Sequence, residues 1–170
     1  MIEIRPTTRT DIAAVDALLA ASYPILLKPD YPPSVLVTAL PLISRAQPAL
    51  VTSGRYFGIF EADQLLGAGG WSAGAPGGAE GRQGIGHIRH VVVDHTRQRS
   101  GLGRALMDAI LSDAKRAGIS AMACQSTRTA EAFYQAMGFR SVRDIEVPLR
   151  AGIAFPAIAM VMDLAAGTPN

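Results

Sequence analysis

Hydrophobic positions recur along this chain with two periods, and the switches between them mark out its elements. Ile2 to Arg5 alternates like a short strand and stops at Pro6. Ile12, Val15, Leu18 and Leu19 then fall at helical spacing, with Thr10 as the expected N-cap and Asp11 in the first turn. From Tyr23 to Pro48 the chain is interrupted by Pro24, Pro29, Pro32, Pro33, Pro41 and Pro48. Each lacks the amide that a sheet or helix interior uses. Only a short helix over 34–40, capped by Ser34, is expected there, as one wall of a pocket.

After Gly54 the period becomes two. RYFGIFEA and LLGAGGWS read as the arms of a hairpin turning at Ala62-Asp63-Gln64. The Gly/Ala-rich run AGAPGGAEGRQGIG reads as a loop, and HIRHVVV as a β-branched strand. Leu102, Leu106, Ala109, Ile110 and Ala114 lie on one face of a helix over 102–117, ended by Gly118. AMACQS reads as a buried strand, and 130–137 as a helix closed by Gly138. VRDIEVPL and PAIAMVMDL read as two last strands joined through Gly152. With no repeat and no linker, the order implies one α/β (α+β) domain over residues 1–170 with a mixed sheet.

Composition narrows the function classes. Of 170 residues 49% are hydrophobic and 18% charged, which fits a packed globule. The most apolar run, AGIAFPAIAMVM, is too short for a bilayer and contains Pro156. The N-terminus lacks the charged-then-apolar order of a secretory signal, so a cytoplasmic location is expected. A lone Cys124 rules out an internal disulfide and a cysteine-based zinc site, and no metal is expected. The pI is near 9.0, but the net charge is only +2 and the arginines are scattered. A nucleic-acid arm would concentrate them. The one local cluster is Arg97, Arg99 and Arg104.

That cluster lies in RQRSGLGRALMDAI, where Gly101 and Gly103 connect a strand to a helix. A glycine there permits positive φ and close approach of the backbone to a ligand. The amides from Arg99 to Arg104 would be the unpaired donors of the helix start, and the helix dipole adds to their pull on an anion. Gly-x-Gly also serves in plain tight connections, so by itself it leaves both readings open. It is neither a Walker loop nor a dinucleotide fingerprint, because Leu106 stands where a third glycine belongs.

The wider order resembles a known family. Gln98-Arg99-Ser100-Gly101-Leu102-Gly103 is similar to the Gln/Arg-x-x-Gly-x-Gly/Ala motif of the GNAT superfamily of N-acetyltransferases, and it follows Val91-Val92-Val93-Asp94 as that family's cofactor strand does. Phe133-Tyr134-Gln135-Ala136-Met137-Gly138-Phe139 resembles the family's Phe-Tyr-x-x-x-Gly-Phe segment. The close resemblance covers His87 to Phe139. Thr127 stands where the family often has Asn.

The resemblance implies a mixed, mostly antiparallel sheet with a splayed parallel strand pair and helices on both faces. It implies acetyl-CoA as co-substrate, with pyrophosphate on the amides of Arg99 to Arg104 and pantetheine along the backbone at Val91, Val92 and Val93. Gln98, Thr127 and Phe133 would complete that site. It also implies a neutral amine of a small molecule or peptide attacking the thioester, Tyr134 as general acid to the departing sulfur, and a possible homodimer. His87 falls where several family members carry a base, and on a regular strand it would share a face with Arg89, Val91 and Val93. A β-bulge, frequent in this strand of the family, would upset that count. Glu61 and Glu80 are the weaker substitutes. His90 is expected on the other face in a structural role, Cys124 as a small buried hydrophobe, and Trp71 either in the pocket or in the core. An acyl-CoA-binding module without turnover, or a transferase with a longer acyl donor, is the alternative.

Overall fold

The computed structural model describes residues 1–76, 81–150 and 152–164. Its seven strands are β1 (Ile2–Pro6), β2 (Tyr56–Glu61), β3 (Gln64–Ser72), β4 (Ile85–Val93), β5 (Ala121–Ser126), β6 (Arg140–Arg150) and β7 (Ile153–Asp163). They form one sheet in the order β1-β2-β3-β4-β5-β7-β6, antiparallel except for β4 and β5. The helices are α1 (Ile12–Leu26), α2 (Pro33–Ile43), α3 (Pro48–Val51), α4 (Leu102–Arg116) and α5 (Glu131–Ala136).

Alternating side chains feed two cores. On one face Phe57, Trp71, Ile88, Met122 and Met160 pack with Leu106, Met107 and Ile110 of α4. On the other, Tyr56, Phe60, Ala68 and Val92 pack with Val15, Leu18 and Leu19 of α1. The helices therefore lie on both faces, as the resemblance implied.

Several local expectations need correction. Capping at the start of α1 begins at Thr8, ahead of Thr10: the Thr8 amide donates to Asp11 Oδ2 at 2.7 Å, and Asp11 itself is the N-cap of α1. Prolines do not break the helices where expected. Pro24 sits inside α1 and Pro41 inside α2. The carbonyls they leave unbonded belong to Ala20 and Val37, both exposed, so water can take the missing donors' place. The hairpin turns on Ala62 and Asp63 alone, both at positive φ, with Gln64 already in β3. Trp71 is core: only 1% exposed, it donates from Nε1 to Asp113 Oδ2 at 2.8 Å.

Candidate active site

The parallel pair is short. Ile85 pairs with Ala121, Gly86 with Met122 and His87 with Ala123, and beyond that the two strands part. A bulge in β4 accompanies the parting. Val92 faces Ala68 and Arg89 faces Gly70, so both His90 and Val91 stand opposite Gly69. His90 takes positive φ, 47°. Its carbonyl accepts the Tyr56 hydroxyl at 3.0 Å. Its ring Nε2 meets Gln47 Nε2 at 2.9 Å, while Gln47 Oε1 accepts from Arg89 at 2.9 Å. That pairing needs an unprotonated Nε2, and burial, aided by Arg89, holds the His90 pKa down at about 4.

The bulge resets the alternation. Ile88 packs on the α4 side, Val92 on the α1 side, and Val91 and Val93 again on the α4 side. His87 and Arg89 therefore face away from Val91 and Val93, which corrects the count for a regular strand. His90, expected opposite His87, shares Gln47 with Arg89 instead. Its structural role is as expected.

The parted strands open a cleft of about 670 Å³. Val91, Val92 and Val93 line one wall, Thr127 and Phe133 another, and the turn from Arg97 to Arg104 closes the mouth. Tyr23, Leu26 and Leu27, at the end of α1, line it as well. These three carry no motif, and only the packing of α1 across the parted strands brings them in.

At the mouth Arg99 and Gly101 take positive φ, 58° and 82°. Ala105 is the first residue of α4 whose amide bonds back, to Gly101 O at 3.1 Å. The amides of Leu102, Gly103 and Arg104 have no partner among the described residues. A Cβ on Gly103 would stand 3.1 Å from Phe133 Cε2, so the missing side chain keeps this end of the cleft open. Free amides, a helix N-terminus and Arg97, Arg99 and Arg104 in one concavity suit a diphosphate. The turn is stiffened from within: Gln98 Nε2 donates to Val93 O and Asp94 O, and Ser100 Oγ to Arg97 O at 2.6 Å. Thr127 spends its hydroxyl on the Ala130 amide at 3.2 Å.

Tyr134 is buried between Phe133 and Phe139, edge-on at 5.3 and 5.4 Å. Its hydroxyl donates to Cys124, and burial first, then electrostatic interaction with Cys124 and Tyr23, keeps the phenol protonated far above neutral pH. Burial also pushes the Cys124 thiol up to about 12, so it is no nucleophile at neutral pH, as expected.

His87 borders a second cavity of about 330 Å³ with Ala123 and Gln125 of β5 and Val147 of β6. Its Nε2 is buried and has no hydrogen-bond partner among the described residues. Burial, and secondarily Arg89, lowers its pKa, which keeps the ring neutral. Glu61 is held by Arg97 at 3.1 Å. Glu80 lies outside the described residues.

A family model described as an acetyltransferase (GNAT) domain matches residues 44–164. The chain belongs to the GNAT family. Solved GNAT structures share its fold at low identity. A GCN5-related N-acetyltransferase from Rhodopseudomonas palustris superposes with a TM-score of 0.76 at 18% identity, covering 95% of this chain and 94% of that one. The PaiA N-acetyltransferase of Thermoplasma acidophilum, solved with coenzyme A, gives 0.72 at 15% identity, covering 96% and 99%. The ribosomal-protein-S18-alanine N-acetyltransferase of Escherichia coli gives 0.65 at 17%, covering 100% and 98%. A comparison against curated proteins gives no match. The protein is thus an acyltransferase of the GNAT type, acting with acyl-CoA. Among the described residues no helix is long and apolar enough to cross a membrane, and no cluster of His, Cys, Asp and Glu could hold a metal.

Proposed function

We propose that this GNAT enzyme transfers acetyl from acetyl-CoA to a primary amine of a small molecule or peptide, by direct attack within a ternary complex. The observation that carries the reading is the parting of β4 and β5 beyond His87, with unpaired amides at the mouth of the opening. The amides of Leu102, Gly103 and Arg104 bind the diphosphate. The β4 backbone from Val91 to Val93, freed from β5, pairs with the amide groups of pantetheine as an added strand would.

A lysine-like amine, with a pKa of about 10.4, is neutral in roughly one molecule in 2,500 at pH 7, a cost of roughly 4.6 kcal/mol. His87 provides the route for the proton: neutral, with an unpartnered Nε2, it takes the proton that an amine held in the cavity it borders sheds as it attacks, and passes it on to water. Tyr134 then supplies a proton to the departing sulfur. Its burial is what keeps that proton in place until charge appears.

The test follows free thiol as acetyl-CoA meets a panel of polyamines, aminoglycosides, amino acids and lysyl peptides. Wild-type protein releases thiol with at least one of them. Tyr134→Phe keeps its fold and loses about 100-fold or more in kcat. Failure of folded wild-type protein to bind coenzyme A would remove the reading altogether.

A further inference from the structure

Four tyrosines occur in the chain, and three have engaged hydroxyls. Tyr31 donates to Pro156 O at 2.7 Å, Tyr56 to His90 O at 3.0 Å, and Tyr134 to Cys124. The hydroxyl of Tyr23 has no hydrogen-bond partner among the described residues. Tyr23 nevertheless belongs to the cleft wall, one turn from the end of α1. Its ring is wedged between the apolar cluster under α1 and the one formed by Leu27, Tyr31 and Phe155. Packing on both sides fixes the ring, so the hydroxyl is a rigid donor with nothing to donate to.

Its neighbours locate it. Tyr23 interacts electrostatically with Cys124, Tyr134 and Tyr56, the groups that gather where β4 bulges away from β5. Tyr134 approaches this point from α5 and Tyr23 from α1, across the opening. The Tyr134 hydroxyl already interacts with Cys124, whereas the Tyr23 hydroxyl, on the cleft wall, has no protein partner among the described residues. A half-buried hydroxyl on the cleft wall, with no such partner, is free to donate to a ligand that fills the cleft.

We infer that Tyr23 is a further catalytic residue, whose hydroxyl donates a hydrogen bond to the thioester as it gains negative charge. This rests on the transferase reading above. As the amine nitrogen bonds to the carbonyl carbon, the carbon–sulfur bond breaks and its electron pair goes to sulfur. Sulfur takes the Tyr134 proton, and the protons shed by the amine leave through His87 to solvent, one of them restoring Tyr134. Tyr23 keeps its own proton throughout and acts as a fixed dipole. Burial raises its pKa, so it does not ionise on the way.

Tyr23→Phe tests this. Removing one such donor should lower kcat tenfold to several-hundredfold. The KM for acetyl-CoA and the calorimetric Kd for CoA should stay within about twofold, and the pH–rate profile should keep its shape. The melting temperature should hold, because the hydroxyl has no protein partner to lose. A kcat within twofold of wild type overturns the inference while leaving the transferase reading intact. A clear drop in melting temperature also overturns it, by showing that the hydroxyl is structural. If wild-type protein acetylates no amine in the panel, the underlying reading fails and this inference falls with it.

Discussion

Unpaired strand backbone occurs in two very different places in this sheet. Along β6, one of the two outer strands, one edge is unpaired over eleven residues. There the sequence guards it: Arg140, Arg143, Asp144, Glu146 and Arg150 put charge on the edge, and Pro148 removes an amide. Between β4 and β5 the unpaired backbone lies inside the molecule, and nothing guards it. Val91 to Val93 offer no charge, and the glycines at the mouth offer no side chain. An open edge invites another chain, so a protein blunts it unless a partner is intended. The contrast marks the inner gap as the place where the chain expects a strand-like ligand.

The sharpest way to break that contrast is to leave the gap intact and remove the group that we assign to its chemistry. His87→Gln should lower kcat/KM by about two orders of magnitude or more, while calorimetry finds CoA binding unchanged. Burial and Arg89 both depress the His87 pKa. The working form is the neutral ring, so wild-type activity should be lost as pH falls through a value below about 6.5. Arg89→Gln takes away only the smaller of the two causes and should move that limb upward. A pH–rate profile insensitive to both changes would take the base role away from His87.

A smaller effect is expected from closing the gap at its origin. Gly69 faces the bulge, and a Cβ there would stand 2.7 Å from Val91 Cγ2 and 3.0 Å from Val91 Cα. Since backbone cannot swing aside as a side chain can, Gly69→Ala should cost about 1–3 kcal/mol in urea unfolding. It should also weaken CoA binding, by re-aiming Val91. Unchanged stability would mean that the bulge is soft and does not hold the strands apart.

The glycine pair in LLGAGGWS was the sequence's trace of this bulge, since glycine inside a strand marks close backbone approach. It could not say which neighbour approaches. His90 itself carries no warning, because its positive φ is stabilised from far away, by Tyr56 and Gln47. What was legible was local: strand and helix periods, the Gly-x-Gly turn, the Phe-Tyr segment. Capping by Thr8 was legible too, as Thr-x-x-Asp, but Thr10 stood nearer the apolar run. The passage of α1 through Pro24 was not, because it depends on where the freed carbonyl points. Nor was Tyr23, whose place in the cleft depends on how a helix without any motif crosses the sheet.

The smallest effects separate the two glycines of the turn. Gly101 needs its φ of +82°, but a Cβ there meets nothing within 4 Å. Alanine at 101 should therefore cost stability through backbone strain, about 1–2 kcal/mol, a fall of a few degrees in melting temperature. Gly103 has an ordinary helical backbone, and its problem is space: its Cβ would crowd Phe133 Cε2 at 3.1 Å and Cζ at 3.3 Å. Alanine at 103 gains helix propensity, up to about 1 kcal/mol, which offsets displacement of the ring. Its melting temperature should barely change. The displaced ring is part of the cleft wall, so the penalty should appear as a several-fold weaker Kd for CoA. Gly101→Ala should thus lose stability more than binding, and Gly103→Ala binding more than stability. Identical profiles for the two variants would mean that the turn responds as one rigid unit, and that the open space at Gly103 is not what admits the ligand.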